Sequence, residues 1–177
     1  MQRLLWIGGI LVGAAAVAGL VTVATRKKQR ELRVALIGDS LAVGLAPELR
    51  KLAGQTPFKA EGHVGISTTG WVKCATCGEW LAEFSPSIVV IVLGTNDDGM
   101  PVRADFEAVR DASLRTGARV VWVQPPAGMK FPVTPTRKVI DSLGVEVVPA
   151  AQVTFGADGV HPAEYATWAK IIWQQVV

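Results

Sequence analysis

Histidine and cysteine are both scarce in this chain of 177 residues, at two each. Cys74 and Cys77 form a single CxxC in the stretch Trp71–Trp80. A structural zinc needs four ligands, and the second cysteine pair that would supply them is missing. His63 and Glu79 are the candidates to complete such a site, and without a second pair no metal is expected. A thioredoxin-like redox motif would follow a strand and open a helix with a depressed thiol pKa, and nothing around the pair supports that. The expectation is two small, partly buried side chains, or a local disulfide where the compartment is oxidising. His63 has no evident partner and reads as structural.

Other absences narrow the field further. The turn after the first apolar run is Gly38-Asp-Ser-Leu-Ala-Val-Gly44, which is not the Gly-x-Gly-x-x-Gly of a dinucleotide site. No Gly-Lys-Ser/Thr phosphate loop and no Gly-x-Ser-x-Gly elbow occur anywhere. Internal repeats and low-complexity segments are lacking too. The net charge is +3, but Arg3, Arg26, Lys27, Lys28, Arg30 and Arg33 against Glu31 place +5 before residue 34, which leaves residues 34–177 at −2. The basic character is confined to the amino-terminal end, so nucleic acid is not an expected partner.

What is present begins with a run that lacks charge altogether. Leu4 to Thr25 reads LLWIGGILVGAAAVAGLVTVAT, 22 residues that as a helix would extend about 33 Å, enough to cross a bilayer core. Signal-peptide cores are shorter, about 7–15 residues, and the run is followed directly by Arg26-Lys-Lys-Gln-Arg30. The expectation is a single uncleaved transmembrane anchor with a juxtamembrane basic flank (residues 1–32) ahead of one domain (residues 33–177). The flank can meet anionic headgroups, each basic residue adding about 1 kcal/mol near the surface. Its net charge of +4 over residues 26–33, set against Arg3, favours the cytoplasmic face for the domain. Action on envelope polysaccharides would require the opposite face.

Beyond the flank, strand and helix patterns alternate. Arg33–Ile37, Phe58–His63, Ile88–Leu93, Val120–Val123 and Val145–Val148 read as strands, with IVVIVL apolar on both faces as in a covered parallel sheet. Helices are expected over Leu41–Ala53, Trp71–Phe84, Arg103–Thr116, Thr136–Leu143 and Pro162–Val177. Pro47 should delay or bend the first, and Gly117 and Gly144 should cap the third and fourth. This order implies an α/β fold: a doubly wound, mainly parallel five-stranded sheet with helices on both faces, flavodoxin-like.

Four segments carry chemistry: Gly38-Asp-Ser-Leu41, the Gly65–Gly70 loop, Gly94-Thr-Asn-Asp97 and Asp158-Gly-Val-His-Pro162. Three follow strands, and functional groups in such sheets gather at the carboxyl ends of strands. Ser40 would stand at a strand-to-helix turn as a nucleophile. His161 would take its proton, and Asp158 would orient the imidazole. The N–H groups of Ser40 and Gly65 with the side-chain amide of Asn96 would form an oxyanion hole. Gly62 and Gly70 are alternatives to Gly65. Singly, each residue has a plainer role: Ser40 as a helix cap, Asn96 and Asp97 or Asp158 and Gly159 as turn formers. Together they would require four coincidences in the right order.

In that order the four segments resemble the SGNH (GDSL-type) hydrolase family, and the resemblance covers residues 33–177. It rests on Ser40, Gly65, Asn96 and His161 within their blocks. It implies an esterase, lipase, thioesterase or carbohydrate acetyl-esterase that forms an acyl-enzyme without metal or cofactor. The small domain leaves little room for a lid, which suggests short acyl groups on a glycan or peptidoglycan sugar. The anchor raises a lysophospholipid or acyl-thioester as the alternative. A membrane-tethered binding module of the same fold is the non-enzymatic competitor, although it would have no reason to keep both Ser40 and His161.

Overall fold

Side chains along three of the strands alternate strictly between two apolar layers, and this period of two builds the domain. The structure is a computed structural model that describes residues 31–177. The anchor expected over Leu4–Thr25 lies outside them, and among the described residues no helix is long and apolar enough to cross a membrane. The strands are β1 (Val34–Gly38), β2 (Phe58–Gly62), β3 (Ile88–Val92), β4 (Arg119–Val123) and β5 (Glu146–Val148). They form one sheet in the order β2-β1-β3-β4-β5, every pairing parallel. Between them run α1 (Ser40–Ala53), α2 (Thr68–Lys73), α3 (Trp80–Phe84), α4 (Arg103–Leu114) and α5 (Thr134–Asp141), and α6 (Ala166–Val176) closes the chain.

Val34, Leu36, Val90, Val92, Val121 and Val123 face α1 and α6, where Leu41, Leu45, Leu49, Trp168 and Ile172 complete one core layer. Ala35, Ile37, Val89, Ile91, Val120 and Trp122 face the other side, against Trp71, Leu81, Phe106, Val109 and Ile140. Trp122 stacks on Phe106 with ring centroids 5.2 Å apart, and its indole N–H donates to the Leu93 carbonyl at 3.1 Å. Parallel strands need both faces covered because their crossover helices pack there. The five-stranded doubly wound sheet expected from the sequence is the one observed.

Several helix boundaries differ from expectation. α1 begins at Ser40, ahead of Pro47, because the Asp39 carboxylate accepts the Leu41 N–H at 2.9 Å and starts the helix there. The helix expected over Trp71–Phe84 is two short ones. Backbone at Cys74 turns extended, a Cys74–Cys77 disulfide closes the intervening turn, and Gly78 takes a left-handed φ of 75° that no α-helix can contain. The final helix starts at Ala166 and not at Pro162. Pro162 is instead held in an antiparallel bridge with Phe155, and the Glu164 carboxylate then takes the N–H and hydroxyl of Thr167 to begin α6.

The centre of the sheet leaves no tolerance at Gly38. It pairs with Val92, and a β-carbon there would lie 2.1 Å from the Val92 carbonyl oxygen and 2.8 Å from Cβ of Ala42. Gly38→Ala is therefore expected to destabilise the domain by at least the about 1–3 kcal/mol typical of overpacking. Urea denaturation would measure it, and an unchanged midpoint would show that the strands can separate without cost.

Candidate active site

β1 delivers Ser40 to the site through one intervening residue. Asp39 is wholly buried and caps α1, so the capping role open to Ser40 falls to its neighbour. Ser40 is nearly buried, and its N–H belongs to the first helical turn, where amides have no partner four residues back. Its Oγ lies 2.9 Å from Nε2 of His161, across 121 residues of sequence.

His161 reaches that position from a loop that organises itself around one carboxylate. Oδ1 of Asp158 accepts the N–H groups of Val160 at 2.9 Å and His161 at 3.0 Å, and Oδ2 meets Nδ1 of His161 at 2.6 Å. Gly159 permits this turn with a left-handed φ of 69°. The Asp158 carboxyl is held well below the ordinary carboxylate range, first by the imidazole and then by the two amides. An ionised carboxylate only accepts, so the proton sits on Nδ1 and Nε2 faces Ser40 as the acceptor. The loop is closed by backbone bonds from Gly156 to His161 and from Ala163 to Thr154, each 2.8 Å. The buried Val160 pins it to the core.

The other two segments are clamped to each other. The Asn96 side-chain amide donates to the Ile66 carbonyl at 3.0 Å, one residue beyond Gly65. Asp97 accepts the Thr68 N–H at 3.2 Å and its hydroxyl at 2.8 Å. Burial pushes the Asp97 carboxyl up, against the pull of the Thr68 bonds. Of the three glycines considered for this loop, Gly62 is in β2 and Gly70 in α2. Gly65 alone stands in the loop, with φ 76° and open space where a β-carbon would be. Among the described residues neither Gly65 nor Asn96 is hydrogen-bonded to Ser40 or His161. Ser40, His161 and Asp158 form one continuous chain of contacts, and Asn96 is bonded separately to Ile66, the residue after Gly65.

Three supporting residues escaped the sequence reading. Asp39 ties the first segment to the third, since its Oδ2 also faces the Thr95 N–H at 3.4 Å. Its position just before a helix start is the preference of an N-cap, a signal that was available. Thr68 has no local signal, because its partner Asp97 is 29 residues away. Tyr165 lays its half-buried ring over Gly44, where a β-carbon would come within 2.2 Å of it. Burial, with the charges of Asp39 and Asp158, pushes its hydroxyl up to about 12. His63 is not unpartnered as expected: Nε2 lies 2.7 Å from Glu61 and 3.5 Å from the Cys77 sulfur, and the ring packs edge-on against Trp71. Glu79, considered beside it, is not in that group; Glu61 is.

No family model and no curated protein matches the chain. Solved structures do. A lipase/acylhydrolase from Enterococcus faecalis is similar at 18% identity over 81% of this chain and 95% of its own, with a TM-score of 0.62. A GDSL-like lipase from Bacteroides thetaiotaomicron is similar at 18% identity over 82% and 87%, also with a TM-score of 0.62. An acetyl xylan esterase is similar at 14% identity over 82% of this chain and all of its own, with a TM-score of 0.64.

Asp39 makes the site's environment measurable. Burial, partly offset by its hydrogen bonds from Leu41 and Thr95, raises its carboxyl from 3.8 to about 7. The folded chain thus keeps a proton that the unfolded chain has released. The stability this confers is fully present below about pH 3.8 and is lost as pH rises through about 7. Asp39→Asn keeps a capping oxygen and removes the titration. Its stability relative to wild type should improve as pH is raised from about 5 to about 8. Parallel stability curves for the two proteins over that range would contradict a buried, proton-holding Asp39.

The arrangement of strands and helices is that of the solved GDSL-like lipases and acylhydrolases, and this chain has their fold, with its four segments gathered along the carboxyl edge of the sheet.

Proposed function

We propose that the protein is a serine ester hydrolase that works through an acyl-enzyme, with Ser40 as nucleophile, His161 as base and Asp158 as its orienting partner. The observation that carries this reading is the unbroken contact chain from Ser40 Oγ to His161 Nε2 and from His161 Nδ1 to Asp158. A serine hydroxyl attacks a carbonyl only when a base removes its proton, and here an imidazole nitrogen is already in hydrogen-bond range. As Oγ bonds to the acyl carbon, His161 takes the proton and becomes an imidazolium stabilised by the ionised Asp158. The proton then passes to the departing alcohol oxygen. Water repeats the sequence in reverse to release the acid.

Negative charge on the former carbonyl oxygen is met by the Ser40 N–H, the Gly65 N–H and Asn96. One hydrogen of the Asn96 amide is engaged by the Ile66 carbonyl, which fixes the group and leaves its second hydrogen for the oxyanion. Donors fixed in advance spend no energy reorganising as charge develops.

Openness of the site supports a short acyl group. The side chains of His161 and Asp158 are 40% and 51% exposed, so the base is reached from solvent among the described residues. Acetyl esters of a polysaccharide or of peptidoglycan suit such a cleft, and an acetyl xylan esterase shares the fold. A second reading, a lysophospholipid or acyl-thioester substrate, is favoured by the uncharged run Leu4–Thr25. That run supports a single-pass anchor ahead of the catalytic domain, with its basic flank favouring the cytoplasmic face. Hydrolysis rates across esters of increasing chain length separate the two readings, and protease protection in spheroplasts tests the anchor and its orientation.

Ser40→Ala is expected to lower ester turnover by on the order of 10⁴-fold or more while leaving the fold intact, with His161→Ala comparable because triad members act as a unit. Asn96→Ala should cost about 100–1,000-fold, the effect of one oxyanion donor. Wild type should be labelled by a fluorophosphonate and Ser40→Ala should not. A wild-type protein that resists the probe and cleaves no ester would make this a binding module.

A further inference from the structure

Away from the triad, a second group of reactive side chains converges where β2 ends. Glu61, His63 and Cys77 bring ligand atoms within 4.8 Å of one another, and the disulfide joins the Cys77 sulfur to that of Cys74. We propose that, once this disulfide is reduced, Glu61, His63, Cys74 and Cys77 bind one zinc ion as a tetrahedral site with two sulfur, one nitrogen and one oxygen ligand.

Geometry carries the proposal. Two ligands on one tetrahedral zinc, with Zn–S of about 2.3 Å and Zn–N of about 2.0–2.1 Å, stand about 3.5 Å apart. His63 Nε2 and Cys77 Sγ are 3.5 Å apart. Nε2 and Glu61 Oε1 are 2.7 Å apart, and a zinc held by both at about 2.0–2.1 Å would open them to about 3.3 Å. The Glu61 carboxylate is already oriented as a ligand's should be. Its Oε2 is occupied by the N–H of Gly78 at 3.0 Å and the indole N–H of Trp80, which leaves Oε1 turned toward His63. The His63 side chain is 43% exposed, which leaves an entry path.

Oxidation and metal binding exclude each other, because the same two sulfurs serve both. A small dithiol supplies two electrons and two protons, breaking the Cys74–Cys77 bond and itself becoming a disulfide. Zinc then displaces the two thiol protons to water. The ion would grip the chain two residues before Gly65, where the His63 N–H already holds the Gly38 carbonyl and its own carbonyl holds the Ile66 N–H.

The full chain is reduced with a dithiol, freed of it under inert gas, and titrated with cobalt(II) and then zinc. One equivalent of cobalt should bind with the strong visible bands of a tetrahedral site and a thiolate-to-cobalt charge-transfer band, and zinc should displace it. The disulfide form should show neither. His63→Ala should weaken zinc binding by at least about 10-fold, Cys77→Ser should weaken the charge-transfer band to that of one thiolate, and replacing both cysteines by serine should abolish it. Zinc K-edge absorption of reduced wild type needs no variant and should report two sulfur and two nitrogen or oxygen neighbours. No stoichiometric uptake, a four-sulfur site shared between chains, or undiminished binding by His63→Ala would each overturn the proposal.

Discussion

β1 and β3 lie side by side at the centre of the sheet, sealed by helices on both faces, so each can satisfy its backbone only through its neighbours. Parallel pairing follows from the helical crossovers, and it sends the carboxyl ends of both strands to one edge. Ser40 comes two residues after β1, and Asn96 four residues after β3. Their proximity is a by-product of strand pairing, in the place where the chain reverses its winding direction and such sheets hold their ligands. Gly38 makes the close approach possible by having no side chain to keep Val92 away.

Around this edge two kinds of carboxylate do different work. Asp39 and Asp97 are buried, and burial raises both. They act as bolts between segments: Asp39 from the helix start to Thr95, Asp97 from the third segment to Thr68. Asp158 is exposed and strongly ionised because it accepts three hydrogen bonds within its own loop. Buried acids thus hold segments together, while the acid paired with His161 stays wet.

Legibility in the sequence followed the range of each interaction. The run IVVIVL and the alternation of apolar strands with amphipathic helices carry the sheet and its order, since local periodicity decides them. The Asp158–His161 pairing was legible because it spans three residues. Helix ends were not, wherever a distant group intervened: Glu61 grips Gly78 and Trp80 from 17 and 19 residues away and breaks the expected helix there. Separation hid Cys77 from His63 at 14 residues and Asp97 from Thr68 at 29, whereas Glu61, two residues from His63, was within reading range. Gly65 was one of three glycines on paper, and only the placement of β2 and α2 singles it out.

His161 and its carboxylate are built almost entirely from their own loop, whereas the link to the serine is a single contact bridging nearly the whole domain. The alignment of the imidazole with the serine is therefore concentrated in one 2.9 Å separation. Any small sliding of the segment between β5 and α6 over the sheet would stretch that separation while leaving the core and the loop's internal bonds intact. Loss of function would come well before loss of structure, and the state of this one gap would report strain that calorimetry cannot see.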